Sequence, residues 1–158
     1  MILSPLPQYE YCMFNKILVA VDGSSSSIYA LDYAANLANQ NNAELKIVSV
    51  IESIPTFYTA GSGTIAKQMY EITEENYTKM HGEQRERLKV KYPQLKLTTL
   101  IEQGKPVDVI NEVSSDSDLI VVGHRGLGGV FNLLLGSVAK QVVESCTIPV
   151  LVVKEKTS

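Results

Sequence analysis

The segment from position 123 to position 137 has the residue types and spacing of a loop that binds an anion. Gly123 is followed after two residues by Gly126, and after nine more by the pair Gly136 and Ser137. A residue without a Cβ atom lets the backbone approach a ligand and adopt positive φ. Free amides at a helix start, together with the helix dipole, attract phosphate. The segment therefore predicts phosphate binding, although a glycine cluster alone also fits an ordinary strand-to-helix connection.

A second polar loop begins at Asp22, in the stretch DGSSSS directly after an apolar run. Asp22 is either a helix cap or turn residue or a ligand contact, and the glycine loop favours the ligand contact. The same stretch also resembles the hydroxyl-rich phosphate loop of a flavodoxin, which would bind a flavin. A receiver domain needs two adjacent acids at this point, and Val21 precedes Asp22, so that class is excluded.

Several enzyme motifs are missing from the sequence. It contains no G-x-x-x-x-G-K-[ST], so the lysine and magnesium arrangement of P-loop enzymes is absent, and no H-E-x-x-H or G-x-S-x-G. His124 and Arg125 lie inside the glycine loop, where we expect solvated side chains, with a fixed cation for phosphate as the alternative. His81 is expected on the surface of a polar helix. No general base stands at recognisable spacing, which argues against rapid hydrolysis.

The elements that must position these loops follow from the hydrophobic pattern. Short apolar runs predict strands over 16–21, 44–51, 95–102, 118–122 and 148–153, and helical spacing predicts helices over about 24–39, 66–92, 106–113 and 137–145. This alternation predicts a single doubly wound α/β domain, a parallel sheet with helices on both faces. Ligands of such sheets bind beyond the carboxyl ends of the strands. The Asp22 and Gly123 loops meet there if the first and fourth strands are neighbours.

Composition limits the possible partners. The chain has 158 residues, 45% of them apolar, with 14 basic against 17 acidic residues. That balance, without a basic stripe, argues against nucleic acid. The apolar runs are strand-sized, so no membrane span is predicted. The two cysteines have no metal-like spacing, which favours a reducing cytoplasm and no metal site.

The first fourteen residues stand apart from the ordered pattern. No Lys or Arg precedes their apolar stretch, and Pro5 and Pro7 interrupt it, so a signal peptide is not expected. We interpret 1–14 as an N-terminal extension and 15–155 as a nucleotide-binding domain. Met13 as the true start is an alternative that the sequence leaves open.

The glycine spacing resembles the nucleotide signature of the universal stress protein family, in its ATP-binding branch. KILVAVDGS, from Lys16, resembles the family's first strand and loop, and SCTIPVLVVK, from Ser145, resembles its closing strand. The resemblance covers nearly the whole chain from Asn15. It implies a Rossmann-like or flavodoxin-like sheet of five parallel strands in the order 3-2-1-4-5.

The resemblance also implies a set of binding residues. Asp22 matches an acid that contacts the nucleoside near the ribose, and Val50 lies where backbone groups hold adenine. The phosphate-contacting set is Gly123, Gly126, Gly136 and Ser137, and Val138 beside them is also assigned to nucleotide binding. Some ATP-binding members have a hydroxyl residue two positions after Ser137, where this chain has Ala139. That departure leaves open whether ATP or ADP is preferred.

The function implied by the resemblance is that of a cytoplasmic stress-response protein, a sensor or regulator that binds ATP, or ADP or AMP, with Mg²⁺ bound through the phosphates. The alternatives are a slow ATPase or nucleotide-handling enzyme, and a carrier of flavin or another phospho-ligand. The last strand, 149–153, would lie at a sheet edge without charges to protect it. We therefore expect a homodimer through this strand, and neither nucleic acid nor membrane as a partner.

Overall fold

A computed structural model describes residues 14–53, 63–127 and 135–155. The sequence predictions for residues 1–13 lie outside these ranges. Strands and helices alternate within them, and no bound differs from the predicted one by more than three residues. The elements are β1 (Lys16–Ala20), α1 (Ser25–Asn41), β2 (Glu44–Glu52), α2 (Gly63–Lys91), β3 (Lys96–Gly104), α3 (Pro106–Val113), β4 (Leu119–Gly123), α4 (Ser137–Ser145) and β5 (Val150–Val153).

The five strands form one sheet in the order β3-β2-β1-β4-β5, and every neighbouring pair is parallel. The predicted fold class and strand order are confirmed. Ile17, Leu18 and Val19 are completely buried, which explains why β1 reads as a continuous apolar run. Because β1 and β4 are neighbours, the loops that follow them meet at the carboxyl ends of the strands.

Helices cover both faces of the sheet, as the alternating pattern predicts. Helices α1 and α2 pack on one face, over a cluster that includes Ile17, Val19 and Leu88, and α3 and α4 pack on the other, over Leu18 and Ile120. Helix α1 begins where predicted, because the Ser24 hydroxyl accepts a hydrogen bond from the Ser27 N–H at 3.2 Å. None of the helices in the described ranges is long and apolar enough to cross a membrane.

Helix α2 departs from its predicted pattern. Its apolar side chains are not buried evenly, since Met69 and Ile72 are largely exposed while Leu88 is fully buried. The expectation that His81 lies on the surface was wrong, because its side chain is only 5% exposed. A histidine can occupy this position because a buried serine of β2 provides it with a hydrogen-bond partner.

Gly82 is a site at which α2 can be stabilised. A Cβ atom placed there meets nothing within 4 Å, so alanine fits without repacking. We expect Gly82→Ala to raise the free energy of unfolding by up to ~1 kcal/mol, because glycine is the poorer helix former. Urea denaturation measures the difference. A loss of stability in this variant would show that α2 requires a glycine at position 82.

Candidate functional site

A cavity of about 830 Å³ lies at the carboxyl ends of the strands, within the size range of small-molecule sites. Strands β1, β2 and β4 provide its floor, α2 lies along one side, and the start of α4 lies along another. The structure brings together around it all seven residues that the sequence singled out: Asp22, Val50, Gly123, Gly126, Gly136, Ser137 and Val138.

The Asp22 carboxylate joins the two loops at the cavity. Its Oδ1 atom accepts a hydrogen bond from the Ser24 N–H at 3.0 Å, and its Oδ2 atom accepts one from the Leu127 N–H, also at 3.0 Å. Burial by itself would raise the pKa of Asp22, but hydrogen bonds from the Ser24 side chain, together with these two amides, outweigh it and hold the pKa below its ordinary value. The group is therefore an ionised acceptor at neutral pH.

Gly123, Gly126 and Gly136, the loop glycines that the structure describes, do not have a left-handed backbone, so the expectation of positive φ was wrong at these three positions. Positive φ among the described glycines occurs at Gly23 and Gly104, outside the motif. A Cβ atom on Gly123 would lie 2.8 Å from the backbone of Ser26, and one on Gly126 would lie 2.6 Å from Asp22 Oδ2. Gly123 thus lets α1 pack against β4, and Gly126 makes room for the carboxylate.

The start of α4 lies at the wall of the cavity. Its N-cap is Gly136, which has no side chain to accept a hydrogen bond from the first turn. The backbone N–H of Gly136 donates to the His124 carbonyl at 2.7 Å. The first N–H groups of any helix lack partners within the helix. Ser137 and Val138, which carry two of these groups, line the cavity. Free amides at a helix start and the helix dipole both favour an anion.

The end of β2 contributes backbone hydrogen-bonding groups to the cavity. The last pair between β1 and β2 is Ala20 with Val48, whereas β2 continues to Glu52. The Val48 carbonyl accepts from the Val21 N–H at 2.8 Å, so its backbone groups face β1. Every second residue of a strand faces the same neighbour. Val50 therefore directs one donor and one acceptor past the end of β1, at the cavity.

The two residues inside the glycine loop differ from each other. The side chain of His124 was expected in solvent, but it is buried, and its Nδ1 atom lies 3.0 Å from Ser26 Oγ. The backbone N–H of His124 donates to the Val153 carbonyl. It therefore anchors the loop to α1 and β5. Arg125 lines the cavity, together with the carboxylates of Asp22 and Glu52.

The sequence interpretation missed the contribution of α2 to the cavity. Tyr70 and Tyr77 line it together with Met69, so one long side of the cavity is aromatic and apolar. Their spacing is helical, but it lies within a polar stretch without a clear apolar stripe. Among the described residues, no group of three or more His, Cys, Asp or Glu side chains is placed to hold a metal ion.

Comparison with known proteins agrees with the fold. The model of the universal stress protein family matches residues 13–154. The universal stress protein YxiE of Bacillus subtilis is 36% identical over 148 residues, which cover 90% of this chain and all of YxiE. The structure of UspA from Lactobacillus plantarum superposes with a TM-score of 0.75 at 25% identity, over 88% of this chain and 97% of that one.

One further solved structure is relevant to the cavity. It is that of a universal stress protein in complex with cAMP, with a TM-score of 0.60 and 28% identity, covering 90% of this chain and 98% of the other. Because the family model spans nearly the whole chain and YxiE matches over its full length, this chain belongs to the universal stress protein family, whose members are stress-response proteins.

Proposed function

We propose that this protein is a cytoplasmic sensor or regulator that binds an adenine nucleotide, with ATP as the first candidate, in the cavity described above. The observation that carries the proposal is that two different sets of hydrogen-bonding groups lie around one cavity. Val50 contributes a backbone donor and acceptor, and the start of α4 contributes the amides of a helix N-terminus, which favour an anion. A nucleotide has a matching base at one end and phosphates at the other.

The base end fits adenine. Adenine carries an amino donor beside a ring-nitrogen acceptor, and the backbone of Val50 offers the complementary acceptor and donor. Met69, Tyr70 and Tyr77 supply apolar and aromatic surface along the same cavity, against which a planar base can pack. Asp22 accepts hydrogen bonds only, because it is ionised, and ribose hydroxyls are suitable donors for it.

The phosphate end has few charges. The α4 amides and the Ser137 hydroxyl donate hydrogen bonds, and Arg125 is the cation that lines the cavity. A magnesium ion that arrives with ATP would neutralise part of the phosphate charge, since Mg²⁺ is commonly held through substrate phosphates. The relative solved in complex with cAMP supports an adenine nucleotide as the ligand class.

We expect little catalytic turnover. Asp22, one of the two carboxylates that line the cavity, has its pKa lowered by hydrogen bonds from the Ser24 side chain and from the amides of Ser24 and Leu127, so it is a weak base for activating water. Steady-state ATP hydrolysis should fall well below the ~1–10³ s⁻¹ of typical enzymes. A robust rate in purified protein that disappears in Gly136→Val would instead support the slow-ATPase alternative.

The identity of the ligand can be tested by mass spectrometry of the small molecules released from the purified, denatured protein. Recovery of an adenine nucleotide in proportion to protein supports the proposal. A visible absorbance spectrum of the native protein separates the flavin carrier, which is yellow, from a purine binder. Recovery of a flavin would overturn the proposal.

We further propose a homodimer through β5. This strand lies at the edge of the sheet, and its four residues, Val150–Val153, are uncharged. Leu151 is 37% exposed, and Val143 of the neighbouring α4 is also exposed. Exposed edges of this kind are usually blunted or covered. A second copy, antiparallel about a two-fold axis, would cover the edge and both side chains.

A further inference from the structure

One face of α2 packs against the loop that carries Asp22. Three residues of α2 share a side of the helix, because Met80 and His81 follow Tyr77 by three and four positions. The Met80 sulfur lies 3.6 Å from the position of a Cβ atom on Gly23, where φ is +86°. Tyr77 lines the cavity, and burial, followed by the negative charges of Asp22 and Glu52, raises its pKa.

His81 makes the polar contact of this face. Its Nε2 atom lies 2.8 Å from Ser49 Oγ, and the Ser49 hydroxyl donates to the Val21 carbonyl. A serine hydroxyl has one hydrogen, so the hydrogen between His81 and Ser49 belongs to Nε2. Burial, followed by the positive charge of Arg85, lowers the pKa of His81 to about 4. The ring is therefore neutral at pH 7, with its single N–H on Nε2.

This chain of hydrogen bonds ends on the peptide group that precedes Asp22. The Val21 carbonyl, held by Ser49, is one side of that peptide, and the Asp22 N–H is the other, donating to Ser27 Oγ at 3.3 Å. Ser49 is 1% exposed, so water does not compete for these bonds. With both sides of the peptide held, the direction of the Asp22 side chain is constrained.

We propose that His81 is a positioning residue of the nucleotide site, which acts through Ser49 and the Val21 carbonyl to aim the Asp22 carboxylate. The geometric part stands on the contacts alone. The consequence for ligand affinity rests on the proposed function. Helix α2 then does more than line the cavity, because it also fixes the acid on the opposite loop.

The first test needs no ligand. The pKa of Asp22 is measured by NMR titration of its carboxyl carbon in the wild type, His81→Leu and His81→Gln. In His81→Leu the loop is released, its hydrogen bonds to Asp22 weaken, and the pKa should rise toward the ordinary value. In His81→Gln the amide nitrogen replaces Nε2 as donor, and the pKa should stay near that of the wild type.

An Asp22 pKa that is unchanged in folded His81→Leu would overturn the proposal, as would a rise of equal size in both variants. If His81→Leu does not fold, Ser49→Ala removes the same link by a smaller change. It should raise the Asp22 pKa in the same direction. A folded Ser49→Ala with the wild-type pKa would equally contradict a positioning role.

The second test uses ATP and a double-mutant cycle. His81→Leu should weaken ATP binding by about ten-fold, the loss of roughly one charged hydrogen bond, and should cause no further loss in the Asp22→Ala background. Additive losses would mean that His81 acts elsewhere. If the wild type does not bind ATP at all, the proposed function fails, whereas the NMR titration still decides whether His81 positions Asp22.

Discussion

Replacing Gly136 by valine should weaken ATP binding by about a hundred-fold or more, as expected when about two hydrogen bonds to a charged group are lost. A Cβ atom at this position lies 3.3 Å from both Arg125 Cα and the His124 carbonyl oxygen. These neighbours are backbone atoms, so a branched side chain must push the glycine loop away from the start of α4. The amides of Ser137 and Val138 then no longer face the same phosphate. Isothermal calorimetry on folded protein measures the loss.

Two further glycine variants control for this result. Gly126→Val directs its side chain at Asp22, whose Oδ2 atom is 2.6 Å from the added Cβ, and should also bind ATP poorly. Gly82→Ala replaces a glycine outside the cavity and should leave the affinity unchanged. Circular dichroism confirms that each variant is folded. Wild-type affinity in folded Gly136→Val and Gly126→Val would rule out the glycine loop as the phosphate site.

Placing a charge on the exposed edge strand should convert the proposed dimer into a monomer. Leu151 is the suitable position, because its side chain is exposed, whereas Val152 packs against the core beneath α3 and α4. Leu151→Lys would bury an ammonium group between two copies, which is costly without a partner charge. Sedimentation velocity at micromolar concentration separates the two states.

The control for this variant is Val90→Lys, where the side chain is 84% exposed. Val90 lies on α2, which packs against β2 and β3, at the other end of the strand order from β5. This substitution makes the same chemical change without touching the edge strand, so the dimer should persist. A wild-type protein that sediments as a monomer, with and without ATP, would remove the dimer proposal. It would leave the edge to be covered by another part of the chain.

The elements of this fold could be predicted because their signals are local. Pro106 and Ser137 mark the first residues of α3 and α4, and both helices have the bounds that the sequence predicts. The seven site residues could be placed around one cavity because all the strands of a parallel sheet have their carboxyl ends on the same side. Neither step required knowledge of side-chain packing.

The role of His81 could not be predicted, because it depends on how α2 is rotated over the sheet. Its partner Ser49 lies 32 residues earlier in a strand, and a polar helix gives no periodic signal for the buried side. The reason for the glycines was missed for a related cause. Only the packing of α1 against β4 shows that Ser26 excludes a side chain from Gly123.

The central claim, that a nucleotide binds between the end of β2 and the start of α4, is tested most directly by backbone amide NMR during an ATP titration. We predict saturable shifts that are largest at Val50, Leu127, Ser137 and Val138, at one ATP per chain. Amides at the amino ends of the strands, such as that of Lys16, should not move. No shifts at millimolar ATP, or shifts confined to residues outside the cavity, would contradict the account.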